Sequence, residues 1–516
     1  DVKLTNYAEF LALCPPTHVV EIWDNSSWSC VHGVERWRND CGCNSGRQGW
    51  TQAWRAPLRE GFDMLRDTLA PLYERDISSF VSDPWRARNE YVEVLNNRSR
   101  ENVQRFLARH AIRDLTDDEI TRMLKLLEMQ RNCMLMYTSC GWFFDEISGI
   151  ETTQVLRYAA EAVQAGEELF GIRIEQRLIE TLIRAPSNVL ANGAKVYELY
   201  VQPNRLDLLR VGAHYGISTL FTEHKPRSAI FCYTVETEAH STLAAGKCKL
   251  TVGRIRVSSD QTWEKSVISF AALDLGDQNV SGGVRPFMGE EAFAHMQEEI
   301  KAEFNQGHMT AILQLMVKHF GGNNYSVWHL FRDEQRRVLR QILQVPMENV
   351  NAALRRVYEE NAGLMTLLQT LQHPVPEEFI GAATHVVNEG LKKAFGQSSP
   401  DMKELEQLVQ QIDRWSLPVH RKELSYQITG WVSARLEELQ AHPFDLPSLE
   451  LIQQAFQFFD TLQVDLDLWK AQNAYFKIGT AHLAKQKEKV EAGDQIARTW
   501  VEAYGRLGSV LRVKVG

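Results

Sequence analysis

Thr116-Asp-Asp-Glu-Ile-Thr-Arg-Met-Leu-Lys-Leu-Leu127 decides how most of this chain is read. Thr116 and Glu119 have the spacing of a capping box, in which a hydroxyl and a carboxylate satisfy free amides at a helix start. Ile120, Met123, Leu124 and Leu127 then recur at i, i+3, i+4 and i+7, as on a helix with one buried face. The helical pattern extends outward over about residues 56–220 and returns from about residue 290 to the end. Ser399-Pro400-Asp401 reads as an N-cap followed by proline at the first helical position, and Asp445-Leu446-Pro447 looks similar. Between the two helical stretches the period falls to two. Phe231, Tyr233 and Val235 alternate with smaller or polar residues, residues 254–257 and 266–270 read as further strands, and Ser281-Gly282-Gly283 reads as a turn or bulge. The expected fold class is mainly α with a small antiparallel β-domain. The expected domains are residues 1–55, 56–222, 223–288 and 289–516.

Charge and hydropathy exclude several classes of partner. The chain carries 57 Lys and Arg against 66 Asp and Glu, a net charge of -9, whereas nucleic-acid binding needs clustered positive charge. No apolar run approaches the ~18–20 residues that span a bilayer. Eight cysteines in 516 residues are too sparse for a disulfide-stapled secreted domain, so a reducing cytoplasm is the expected setting. The chain opens at Asp1 rather than Met, which is expected of a processed or truncated product.

The first 70 residues differ from the rest. They hold Trp23, Trp28, Trp37, Trp50 and Trp54, five of the 13 tryptophans, with Gly33, Gly42, Gly46 and Gly49 between them, so much of this stretch should be loop. Cys30, His32, Cys41 and Cys43 place four soft donors within 14 residues. Zinc favours tetrahedral thiolate and imidazole ligands, and Gly42 would allow a tight turn between two thiols. The single residue between Cys41 and Cys43 departs from the usual spacing of two to four. Buried free thiols are the competing reading. Asp274, Asp277 and Asn279 lack the twelve-residue pattern of a calcium loop and read instead as a turn between strands.

Several blocks resemble one branch of glycoside hydrolase family 57, the branch that carries a domain of unknown function numbered 3536. They are residues 4–10, 15–18 and 26–37 (Ser-Ser-Trp-Ser-Cys-Val-His-Gly-Val-Glu-Arg-Trp), then 49–59, 136–151 and 273–283. The resemblance implies an N-terminal (β/α)7 barrel with a Glu nucleophile and an Asp acid/base, acting on α-glucans. The segments bearing those two carboxylates have no match in this chain. A retaining mechanism needs both, ~5–5.5 Å apart. Residues 1–25 are therefore expected to be the last strand and helix of a barrel whose remainder lies upstream.

By the same resemblance, Trp28, His32 and Trp37 belong to a loop that shapes the substrate cleft. Trp28 would offer an indole face to a sugar ring. Core packing is the competing reading for each tryptophan. Trp142 stands in a block where family members have Ser-Asp-Trp, with Gly141 in place of the Asp. The resemblance makes Trp142 a sugar platform, with Asp145 and Glu146 bonding sugar hydroxyls. Adjacent acids do not face each other as an acid/base pair would, and a structural role, such as capping or bonding Arg157, is the expected one for each. The leading expectation is a cleft-completing region of an α-glucan-acting hydrolase or transglycosylase, partnered by the upstream barrel of the same protein. A non-catalytic carbohydrate-binding or scaffold protein is the alternative, and a metal-dependent activity at the Cys/His set is a third.

Overall fold

The computed structural model describes residues 3–276 and 279–514, which form two compact units, residues 1–339 and 340–516. In the first unit, α1 (Tyr7–Leu13) is followed by a long irregular stretch and then by a helical bundle. The bundle contains α2 (Arg55–Ile77), α3 (Pro84–Glu90), α4 (Val92–Asn96), α5 (Arg100–His110) and α6 (Asp117–Leu135). It continues through α7 (Cys140–Phe143), α8 (Ile150–Phe170), α9 (Glu175–Ile183), α10 (Gly193–Tyr200) and α11 (Leu208–Ser218). Helix α6 starts at the expected capping box: Thr116 Oγ1 accepts from the Glu119 amide, and the Glu119 carboxylate accepts from the Thr116 amide. Its buried face, with Met123, Leu124 and Leu127, meets Leu58, Phe62, Leu65 and Leu69 of α2 and Leu156, Ala159 and Val163 of α8 in one core.

Five strands follow, β1 (Arg227–Ile230), β2 (Tyr233–Ala245), β3 (Cys248–Ser259), β4 (Lys265–Asp274) and β5 (Val280–Pro286). After α12 (Glu290–Asn305) and α13 (Met309–Phe320), the short β6 (Asn324–Tyr325) completes an antiparallel six-stranded meander in sequence order. Both faces of the sheet are covered. Ile255, Val257, Ile268 and Phe270 pack with Val211 and Tyr215 of α11. Leu250, Val252, Ala271 and Leu273 pack with Met296, Ile300, Ile312 and Met316 of α12 and α13.

Three local expectations are corrected. Phe231 is not a strand residue but lies between β1 and β2 at φ +53°. Gly282 and Gly283 are not a turn. They lie inside β5, where a Cβ would meet Ile217 at 2.6 Å on one face and Phe320 at 2.3 Å on the other. The helix Met402–Trp415 begins after Asp401 rather than Ser399, because the Asp401 carboxylate accepts the Lys403 amide. The turn between β4 and β5 is closed by the Gly276 amide on the Asp274 carboxylate. Asp277 lies outside the described residues. Residues 3–25, expected to hold a strand and helix of a barrel, hold α1 and no strand among the described residues, and all their side chains are exposed. A strand needs a neighbouring ladder to satisfy its amides and carbonyls, and among the described residues no strand pairs with this segment.

The second unit is all helical. Helix α14 (Arg332–Thr370) leads into it, followed by α15 (Glu377–Gly396), α16 (Met402–Trp415), α17 (Arg421–Ala441), α18 (Leu446–Thr461), α19 (Trp469–Glu491) and α20 (Gln495–Leu511). Asp445 caps α18 with Pro447 in its first turn, as expected. Tyr475 and Tyr504 stack at 4.2 Å, and each hydroxyl donates to the other's backbone carbonyl, locking α19 to α20. No helix among the described residues is long and apolar enough to cross a membrane.

Helix α11 reaches the sheet through Gly212 and Gly216, one helical turn apart, where a Cβ would meet Ile268 at 3.1 Å and Phe270 at 2.8 Å. Gly216→Val is expected to cost about 1–3 kcal/mol through overpacking. Urea denaturation of the full chain measures it, and an unchanged midpoint would show that the sheet yields at this point.

Candidate metal centre

Between α1 and α2 the chain has little apolar material to fold around. From residue 31 to 51 the only buried side chain is Arg36. What shapes the segment is polar. A single 3-10 turn, Glu35–Trp37, is followed by Asp40, whose carboxylate accepts the Gly42 amide at 3.1 Å and the Gln52 amide at 3.3 Å. Gly33 sits at φ +65°, where a Cβ would fall 2.1 Å from the Asn25 carbonyl oxygen. Gly42, at φ +76°, allows the chain to reverse between Cys41 and Cys43, so the short spacing does not keep the two thiols apart.

These turns bring Cys30, His32, Cys41 and Cys43 together, with their donor atoms all within 4.8 Å of one another. Cys30 Sγ lies 3.8 Å from Cys41 Sγ, 4.0 Å from Cys43 Sγ and 3.7 Å from His32 Nδ1, and Cys43 Sγ lies 3.5 Å from His32 Nδ1. A tetrahedral zinc with Zn–S near 2.3 Å and Zn–N near 2.0–2.1 Å separates its sulfurs by about 3.8 Å and sulfur from nitrogen by about 3.6 Å. The observed spacing fits that shell. It is far from the S–S bond of ~2.05 Å in a disulfide. Cys30 is buried, Cys41 and Cys43 are half-buried, and His32 is exposed.

Within the cluster the Cys30 and Cys43 thiols are displaced in opposite directions. Burial opposes ionisation of the Cys30 thiol, but hydrogen bonds to His32, Cys41 and Cys43 outweigh it and bring its pKa down to about 6. At Cys43, burial and the adjacent Cys30 and Cys41 push the pKa up. Arg55 donates from Nη1 to Cys41 Sγ at 3.8 Å. Burial pulls the Arg55 pKa down, and the Cys41 thiol opposes that shift.

Of the residues proposed from the sequence as sugar contacts, His32 falls in the cluster and the others lie outside it. Trp28 is 96 % exposed, two positions before Cys30. Trp37 is half-buried against the bundle core, and its indole N–H is buried without a hydrogen-bond partner. Trp142 is 1 % exposed, stacked on Trp54 at 6.3 Å and edge-on to Phe62 at 5.8 Å. In this arrangement it has no face open to a sugar ring. At Gly141, α7 lies tight on α8, and a Cβ there would meet Val155 at 2.4 Å.

Asp145 and Glu146 are buried and their hydrogen bonds are spent on the protein itself. The Asp145 carboxylate accepts from the Ser45 amide at 2.8 Å, the Ser45 hydroxyl, and Gln52 Nε2 at 3.0 Å. Glu146 accepts from the Asn188 amide at 2.7 Å, the Ser148 amide at 3.0 Å and the Ser187 hydroxyl. Neither acid bonds Arg157, which donates to the Tyr200 carbonyl. Asn188 closes the arrangement, donating to the carbonyls of Thr51 and Asp145 and accepting the Thr51 amide. Two adjacent acids thus pin the segment after the Cys/His cluster and the 187–188 turn to the same point of the bundle. Gln52, Arg55 and Asn188 were not singled out in the sequence. Polar residues of this kind, buried at 52 and 55 and half-buried at 188, follow no periodicity, and only their partners give them away.

The chain belongs to the domain of unknown function (DUF3536) family, which matches residues 50–331. Arg55, Asp145, Glu146 and Asn188 fall within the match, and the Cys/His cluster lies just before it. No curated protein and no solved structure matches the chain.

Burial raises the pKa of Asp145, and the Ser45 and Gln52 hydrogen bonds, with Arg55 nearby, more than reverse this, leaving it below the ordinary carboxylate value. A carboxylate depressed in the folded state stabilises above its unfolded pKa, and that contribution is lost as pH falls through the folded value. Asp145→Ala is expected to lower stability at pH 7 by about 2–4 kcal/mol, since it strands three donors. The gap from wild type should narrow below pH 4. Denaturation at pH 7 and pH 3 tests this, and an equal gap at both would remove the carboxylate from the account.

Proposed function

We propose that this chain binds one zinc ion through Cys30, His32, Cys41 and Cys43, and that the ion is structural. The convergence of four donor atoms within 4.8 Å carries the reading. Three thiolates and an imidazole fill a tetrahedron and leave no position for water, the arrangement of structural rather than catalytic sites. The fixed loop is the cleft-completing, accessory part of an α-glucan-acting hydrolase or transglycosylase, whose catalytic carboxylates lie in an upstream barrel. The sequence blocks that resemble family 57 support this. So do Leu4, Tyr7, Val20, Ile22, Trp23 and Trp28, large apolar side chains left exposed on the segment that would adjoin that barrel and complete it. A non-catalytic carbohydrate-binding scaffold uses the same loop and differs in lacking the barrel.

Metal analysis of the full chain, purified without chelator, is expected to give about one zinc per chain. Cys30→Ser and Cys43→Ser should each reduce the zinc content severalfold and lower the unfolding temperature, because a ligand of the native state alone stabilises it. A metal-free wild type, even after refolding with zinc, would sink the metal reading. For the carbohydrate reading, calorimetric titration with maltoheptaose should show binding that Trp28→Ala weakens about tenfold, with no hydrolysis by the chain alone. Absence of binding at millimolar ligand would remove sugar contact from this chain's role.

A further inference from the structure

Arg55, at the first position of α2, is fully buried, yet no carboxylate among the described residues forms an ion pair with it. Its Nη2 donates to the carbonyls of Phe143 and Phe144 at 3.3 and 3.2 Å, its Nη1 to Cys41 Sγ, and its Nε is buried without a partner. A second arginine, Arg36, is also buried and lies over the Phe143 ring at 4.4 Å. Asp40 and Asp145 act on Arg55 through charge at a distance, but neither bonds it, and the side chain that its Nη1 meets directly is Cys41. A neutral thiol there would leave a buried guanidinium with an uncharged direct partner. Three thiolates around a divalent ion, with a neutral imidazole, would supply a net single negative charge at the point where Nη1 is directed.

We infer that Arg55 is the counter-ion of the metal centre, a positioning residue outside the coordination shell that neutralises the zinc–thiolate unit through Cys41 and ties it to the Phe143–Phe144 carbonyls. The inference rests on the zinc reading proposed above. It accounts for a buried arginine whose direct side-chain partner is a cysteine rather than an acid. It also gives the cluster a mechanical link to the bundle: the guanidinium fork grips a ligand sulfur on one side and the turn before Asp145 on the other. Lysine, with one ammonium and no fork, would keep the charge and lose that double grip.

The test uses the full chain with Arg55→Gln and Arg55→Lys. Zinc affinity is measured by competition with a chromogenic chelator, and the thiolate-to-metal absorption bands are recorded after cobalt substitution. Groups hydrogen-bonded to metal ligands are worth roughly 10- to 100-fold in metal affinity. Arg55→Gln is expected to weaken zinc binding by that factor and to shift the cobalt bands, with Arg55→Lys falling between it and wild type. Wild-type affinity and unshifted bands in Arg55→Gln would overturn the inference while leaving the zinc site standing. A wild type that binds no zinc would instead end the underlying reading. Should Arg55→Gln fold poorly, excess zinc is expected to restore it, since a counter-ion defect weakens a binding step that metal concentration offsets. A defect that zinc does not repair would assign Arg55 to packing alone.

Discussion

Three thiols and an imidazole have been brought within 4.8 Å of one another by a segment that buries almost nothing else. Fixing backbone costs about 1–2 kcal/mol per residue in lost freedom, and a segment of some twenty residues with one buried side chain cannot recover this from apolar contact. Its order has to come from a few strong polar ties. Two are visible in the hydrogen bonds: Asp145 holds Ser45 and Gln52, and Asp40 holds the amides of Gly42 and Gln52. The third is the cluster itself. Three sulfurs this close cannot all carry charge without a cation between them, and the opposite displacements of the Cys30 and Cys43 thiols express that conflict. A divalent ion would remove it and cross-link residues 30, 32, 41 and 43 at once.

Much of the fold was legible because it rests on periodicity. The capping box at Thr116 and the apolar face behind it identify α6, and the change of period near residue 226 marks the sheet. What misled were residues whose reason lies across space. Gly282 and Gly283 look like a turn in one dimension, but in three they are the thin places where Ile217 and Phe320 press on a strand. Strand β6, two residues long and separated from its partner by two helices, has no pattern of its own. At the site, Cys30, His32, Cys41 and Cys43 were legible as a donor set, and spacing alone counted against them. The spacing rule assumes an ordinary turn between paired ligands, and Gly42 at φ +76° beside the Asp40 carboxylate is not one.

Asp145 and Glu146 show a different case, in which the resemblance implied sugar contacts, residue reasoning expected a structural role, and the hydrogen bonds run to the protein itself. Acids next to an aromatic residue suit sugar recognition only if their lone pairs face solvent. Here the donors Ser45, Gln52, Ser148, Ser187 and Asn188 occupy them, and Trp142 is enclosed by Trp54 and Phe62. The pair serves the site at one remove. Asp145 orders the chain just after Cys43, and the Phe143–Phe144 carbonyls before it receive Arg55. The Cys/His cluster, the start of α2 and the turn after α7 are therefore one connected polar structure, although they are distant in sequence.

That connection bears on what the exposed end of the segment can do. Trp28 stands in solvent two residues before a buried cysteine that belongs to the cluster. An indole on a free loop pays for its ordering each time it meets a ligand, whereas one held beside a fixed point has part of that entropy removed beforehand. On the reading proposed here the ion takes no part in bond making. It sets the direction of the loop, Arg55 neutralises the charge that the ion leaves on its thiolates, and Asp145 anchors the far side. The contribution of the centre to binding would then be felt through the geometry of Trp28 and its neighbours rather than through any contact of the metal with a ligand.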